Sequence, residues 1–146
     1  MTSGFRVGIT IRQARPEVAT VMFDVRYLPA WLSGVGQIEV VSGEPPAETA
    51  RVALGNQEFE IVEHLHDLTL VLQGKTTTLT LALEGVPIGT VAWLDVQTER
   101  TGLGRLLSRI IDHRERRIAI RDLRRLKQFI ESGEYRTWRV EAEAEA

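Results

Sequence analysis

Glu63 and Arg114 are the charged residues whose positions could support chemistry. Along 57–65, strict alternation sends Phe59, Ile61 and Leu65 to the core face of a strand, and Glu63 shares that face. Burial without a partner raises a carboxyl pKa and a nearby guanidinium lowers it. An inward Glu63 is therefore either a ligand contact or half of an ion pair. Arg114 is the candidate partner, because it falls on the apolar stripe of a C-terminal helix, close in angle to Leu103, Leu107 and Ile110. The competing arrangement is a strand bulge, or the open mouth of a sheet, that leaves both residues in water. His64 and His66, two apart on one strand, project from a single face with a spacing that can hold a metal. The alternation turns them away from Phe59 and Ile61 towards solvent, and His113, the only other histidine, lies on the helix. Two solvated histidines beside a turn are the expectation, and no metal.

Other catalytic arrangements are missing. There is no Cys, which removes disulfides, thiolate catalysis and Cys-ligated zinc, and there is no Gly-x-Ser-x-Gly elbow or phosphate loop. Gly102-Leu103-Gly104 precedes a helix, but Leu107 stands where a dinucleotide-binding turn needs its third glycine. No cofactor is expected. Eighteen basic and twenty acidic residues give a net charge of −2, yet the stretch from Arg105 to Lys127 alone carries nine basic and three acidic residues. Arg117, Arg121 and Arg125 recur every four residues, a stripe that could meet phosphate, anionic lipid or an acidic partner, or simply be a solvated helix back opposite an acidic sheet. No aromatic residues interleave it, so no nucleic acid is expected.

These residues need elements to hold them. A length of 146 residues with 43% hydrophobic content suits one domain, read as 1–134, followed by a C-terminal tail over 135–146, ending in the Glu-Ala run 141–146, that is expected to be poorly ordered. No basic-then-apolar leader opens the chain and no window is apolar enough to span a bilayer. The reading is a cytoplasmic protein without integral membrane association. Phe5, Val7, Ile9 and Ile11 alternate as a first strand. Pro16-Glu17 opens a helix, and Pro29 interrupts the helical spacing to leave two short helices, with Asp24 as a cap for the second. Six strands are predicted at 37–42, 49–54, 57–65, 68–73, 76–84 and 88–98, separated by turn residues such as Gly55-Asn56 and His66-Asp67. In the last of them Ile88, Thr90, Ala92, Leu94 and Val96 form the core face. Trp93 then lies outside, as a surface residue or a homodimer contact. A long helix runs from Leu103 to Ile130, with Ile110 and Ile111 in its early apolar set, and Gly133 stops it.

Ala14-Arg15-Pro16-Glu17-Val18, Phe23-Asp24 through Leu28-Pro29-Ala30-Trp31, and Asp122-Leu123-Arg124-Arg125-Leu126-Lys127 with Glu131 resemble the START-like, helix-grip (SRPBCC) superfamily, in particular its bacterial polyketide cyclase/dehydratase and lipid-transport types. The resemblance covers the chain to about Glu131. It implies an α+β helix-grip fold: a seven-stranded curved antiparallel sheet around the long C-terminal helix, with two short helices between strands 1 and 2. It also implies a cavity between sheet and helix for a hydrophobic or amphipathic small molecule. The residues expected to line that cavity are Trp31, Phe59, Ile61, Glu63, Leu65, Leu94, Leu107, Ile110, Ile111 and Arg114. The sixth strand departs from the pattern, since Thr76–Ala82 is small and bland where members often carry an aromatic residue. Binding is the leading function. The alternatives are a cyclase/dehydratase-like enzyme using Glu63, Asp95 or a pocket Arg for proton transfer, and an interaction module acting through the Arg-rich helix.

Overall fold

The computed structural model describes residues 2–99 and 108–138, with side chains over 4–99 and 113–138. Seven strands form one antiparallel sheet in the order β1-β7-β6-β5-β4-β3-β2. They are β1 (Thr2–Ile11), β2 (Ile38–Ser42), β3 (Arg51–Leu54), β4 (Gln57–Leu65), β5 (Thr69–Gln73), β6 (Thr77–Val86) and β7 (Gly89–Glu99). The sheet is curved and unclosed, with β1 and β2 as its edges. After β1 the chain crosses to β2 at the opposite edge, and the meander that follows brings β7 back beside β1, paired from Thr2↔Glu99 to Ile11↔Thr90. β2 to β7 form a meander, joined by short turns except for the longer 43–50 connection between β2 and β3. Gly55 takes φ 66° in the two-residue turn that joins Leu54 to Gln57.

Between β1 and β2 lie α1 (Arg15–Met22), a 3-10 turn (Val25–Tyr27) and α2 (Leu28–Trp31). Pro16 and Glu17 occupy the first turn of α1, where a missing N–H costs nothing and a negative charge meets the helix dipole. The Asp24 side chain accepts the Arg26 N–H at 3.0 Å, the expected capping role. Val18, Val21, Met22, Leu28 and Trp31 are fully buried beneath the sheet's concave side.

The long helix, α3 (Ser108–Glu131), buries Ala119, Leu123, Leu126, Phe129 and Ile130. Two polar anchors fix its flanks. On one side the Lys127 ammonium donates to the Thr10 carbonyl at 2.7 Å and to Glu131 at 2.6 Å, while Glu131 also accepts the Arg12 N–H at 2.9 Å. The Arg12 hydrogen bond, with help from Lys127, holds the Glu131 carboxyl below the usual glutamate range. On the other side the buried Asp122 carboxylate accepts both the backbone N–H of Ser33, at 3.0 Å, and its hydroxyl. Past Gly133 the chain makes a further helical turn over 134–138. There Tyr135 and Trp138 lie 6.5 and 5.2 Å from the Tyr27 ring. Residues 139–146, and the predicted helix start at Leu103, lie outside the described residues.

On the convex face Arg6 stacks over Trp93 at 4.3 Å, and the close approach of the indole is possible because position 8 is Gly. A Cβ there would meet Trp93 Cε3 at 2.5 Å. Trp93, the residue considered for a dimer contact, thus has a partner within its own chain.

Candidate functional site

The strand that carries Glu63 does not keep its alternation. Ile61 pairs with Leu72 and Glu63 with Val71, so Val62 is an extra residue in β4 and the strand changes phase there. Phe59 and Ile61 remain buried, but Glu63 and Leu65 turn to the convex face and are exposed. The expectation of an inward Glu63 and Leu65 is corrected by this bulge. His64 takes the inward place instead, half-buried, with its ring edge-on to Phe23 at 6.4 Å. His64 therefore borders a cleft with Phe23, Val25 and Pro46 at the β4–β5 end of the sheet, while His66 stands in solvent at its edge, as expected. In this cleft Arg26 is paired with Asp24 at 2.8 Å, and the His66 ring nitrogen lies 3.4 Å from the Asp67 carboxylate. Among the described residues no group of three His, Cys, Asp or Glu side chains is placed to hold a metal.

At the opposite end of β4, between the sheet and α3, lies a cleft of about 380 Å³. The sheet supplies Phe5, Leu54, Phe59, Leu79, Leu94 and Val96, and α3 supplies Ile118 and Ala119. Thr77 and Thr98, directly opposite each other in register, add two hydroxyls, and Asn56, Gln57, Ser33 and Glu115 complete the polar part of the wall. Asp122 also reaches this cleft, with its carboxylate engaged by Ser33. The surface is thus apolar with a polar rim, which suits a ligand with one wet end.

The expected lining residues divide accordingly. Phe59 and Leu94 line the cleft. Trp31 and Ile61 are fully buried core residues beside it, and the Trp31 Nε1 has no hydrogen-bond partner among the described residues. Arg114 is exposed on α3 and forms no ion pair with Glu63. The side chains of Ile110 and Ile111, and all of Leu107, lie outside the described ones. Asp95, considered as a proton-transfer group, is on the outer face of β7 and accepts from Gln97 at 3.0 Å, whereas Thr90, Ala92 and Leu94 are buried on the inner face, as the alternation predicts. Thr77 and Leu79 carry a sequence signal of their own: Leu79, Leu81 and Leu83 alternate inward, and the same phase carries Thr77 into the cleft.

Sheet and helix together define a class of small α+β proteins in which an unclosed antiparallel sheet wraps a long C-terminal helix. No family model matches this chain. No curated protein matches it. Solved structures do share its fold. Protein MLL2253 of Mesorhizobium loti superposes with a TM-score of 0.70 at 14% identity, covering 89% of this chain and 98% of its own. TTHA0849 of Thermus thermophilus gives 0.68 at 17% identity over 90% of this chain and 99% of its own. DynU16, a protein of the dynemicin biosynthetic locus, gives 0.65 at 16% identity over 89% of this chain and 48% of its own. At these identities the likeness concerns fold alone. Among the described residues no helix is long and apolar enough to cross a membrane.

Proposed function

We propose that this protein binds a hydrophobic or amphipathic small molecule, lipid- or polyketide-like, in the cleft between the sheet and α3, in the manner of the START-like, helix-grip superfamily. The observation that carries the reading is the apolar, polar-rimmed cleft of about 380 Å³ at that place. Its size falls within the range of about 300–1,000 Å³ usual for small-molecule sites, and it would otherwise hold roughly a dozen waters against apolar walls. A ligand that buries about 250 Å² of apolar surface there gains roughly 6 kcal/mol, a Kd of some tens of micromolar before the costs of association and weaker after them.

The test is a plugged cleft. Leu79→Trp adds an indole at a half-buried lining position. The expected result is at least about tenfold weaker binding of decanol, with a melting temperature within a few degrees of the parent. Unchanged binding would place the ligand elsewhere and end the reading. Mass spectrometry of an extract from the denatured protein would identify any apolar compound carried through purification. A catalytic version, a polyketide cyclase or dehydratase, draws support from the fold shared with a biosynthetic-locus protein and from the Glu115 carboxylate in the cleft wall. Conversion of a bound compound, abolished in Glu115→Gln with binding retained, would establish it.

A further inference from the structure

We infer that the ligand of this cleft is an amphiphile with an anionic head, its tail between sheet and helix and its head on an arginine row along the flank of α3. The inference rests on the cleft being a ligand site and adds the chemistry of what enters it.

Arg114, Arg117, Arg121 and Arg124 follow one another at steps of three, four and three, so they form one row on the helix surface, about 15 Å long at 1.5 Å per residue. All four are exposed, and together with Ile118 they surround an open concavity. Ile118 belongs to both places, because it also lines the apolar cleft. It stands four residues after Arg114 and three before Arg121, the spacings at which helix side chains are neighbours. The two anchors of α3 set the orientation. Lys127 ties one flank to β1, and Asp122 ties the other to Ser33, a residue of the cleft wall. At 100° per residue Arg114 and Arg121 fall about 40° and 60° beyond Ile118, while Arg117 and Arg124 lie further round the exposed back of the helix.

The row is also electrically unbalanced. Arg26, Arg51 and Arg125 each lie within 4 Å of a carboxylate, Asp24, Glu58 and Asp122 respectively. Among the described residues none of the four in the row has such a partner. Like charges at these spacings repel, and a bound anion would relieve that. Guanidinium groups present planar forks that fit a carboxylate or a phosphate. An apolar cleft that shares a wall residue with an unneutralised arginine row thus matches a molecule built the same way: a hydrocarbon body and a negatively charged head.

Decyl phosphate and decanol, titrated calorimetrically below their aggregation concentrations into the 146-residue protein, separate the two halves of this inference. Decyl phosphate should bind about tenfold more tightly at low salt, and the advantage should shrink as salt screens the row. In Arg114→Gln/Arg117→Gln/Arg121→Gln the advantage should fall to about twofold while decanol affinity stays unchanged. Equal affinities in the parent, or an advantage that survives the triple substitution, would overturn the role of the row and leave the cleft standing. Competition by inorganic phosphate as strong as that by decyl phosphate would reassign the row to a free anion. Adsorption to anionic vesicles, lost in the triple variant, without uptake of decyl phosphate would reassign it to a membrane surface. Failure of both decyl compounds to bind would remove the cleft reading itself, and this inference with it.

Discussion

Replacing Asp122 with Ala should uncouple the loop after α2 from the long helix. Asp122 is 2% exposed, and its carboxylate accepts two hydrogen bonds from one residue, the N–H and the hydroxyl of Ser33. Hydrogen bonds to charged groups contribute about 1.5–3 kcal/mol each, and a donor left buried without a partner adds to the loss, so Asp122→Ala should cost about 3 kcal/mol. Ser33→Ala removes only the hydroxyl and should cost about 1.5 kcal/mol. The double variant should be no worse than Asp122→Ala alone, which gives a coupling of about 1.5 kcal/mol. For a chain of this size that corresponds to a fall in Tm of roughly 10 °C for the Asp122 variant. Urea unfolding followed by circular dichroism measures all three. The loop from Leu32 to Val35 also lines the cleft, so decanol binding should weaken in parallel. An Asp122→Ala protein within about 0.5 kcal/mol of the parent, or strict additivity in the double variant, would refute the reasoning.

Two further outcomes follow from the anchors and the outer face. Glu131 is held below the usual glutamate range by the Arg12 N–H and by Lys127, so its ionised form stabilises the fold at neutral pH. That contribution is complete above the ordinary glutamate pKa and is lost as pH falls through the lowered folded value. The parent should exceed Glu131→Gln by about 0.5–1 kcal/mol at pH 7, the gap closing in acid, and a gap independent of pH in urea titrations would contradict this. Gly8→Ala should push the Trp93 ring off its position and cost about 1 kcal/mol, with loss of near-ultraviolet ellipticity from the indole. Unaltered spectra and stability would mean that the Arg6–Trp93 stack does not persist in solution.

The strands were readable because apolar alternation and turn residues agreed: six predicted strands fall within about two residues of the observed ones. The inner face of β7 was equally plain, since one set of alternate residues was uniformly apolar. β4 was misread beyond Ile61 because its direction depends on its neighbour. The turn through Asp67, at φ 57°, sets Leu65 opposite Thr69 and therefore His64 opposite Leu70. Leu70 and Leu72 must both face the core, and Leu72 lies opposite Ile61. Ile61 and His64 are an odd number apart, so facing both inward requires one extra residue, Val62. A period-2 pattern read along one strand cannot contain that information. Asp122 stood within the motif that carried the resemblance, but its engagement with Ser33, 89 positions away, is a product of tertiary packing.

The other edge of the sheet has its own irregularity. β2 is five residues long, and the pairing passes from Val40↔Val52 to Ser42↔Arg51, leaving Val41 unpaired in the ladder. Val40 and Val41 are both about half exposed, so this margin offers apolar side chains beside main-chain groups with no neighbouring strand. A long, straight margin of that kind would be a template on which a strand from another molecule could zip up. The extra residue bends the chain away from such a match and keeps the template short. Deleting Val41 would straighten the margin, and its cost would be paid in solubility at high protein concentration, well before any loss of folding.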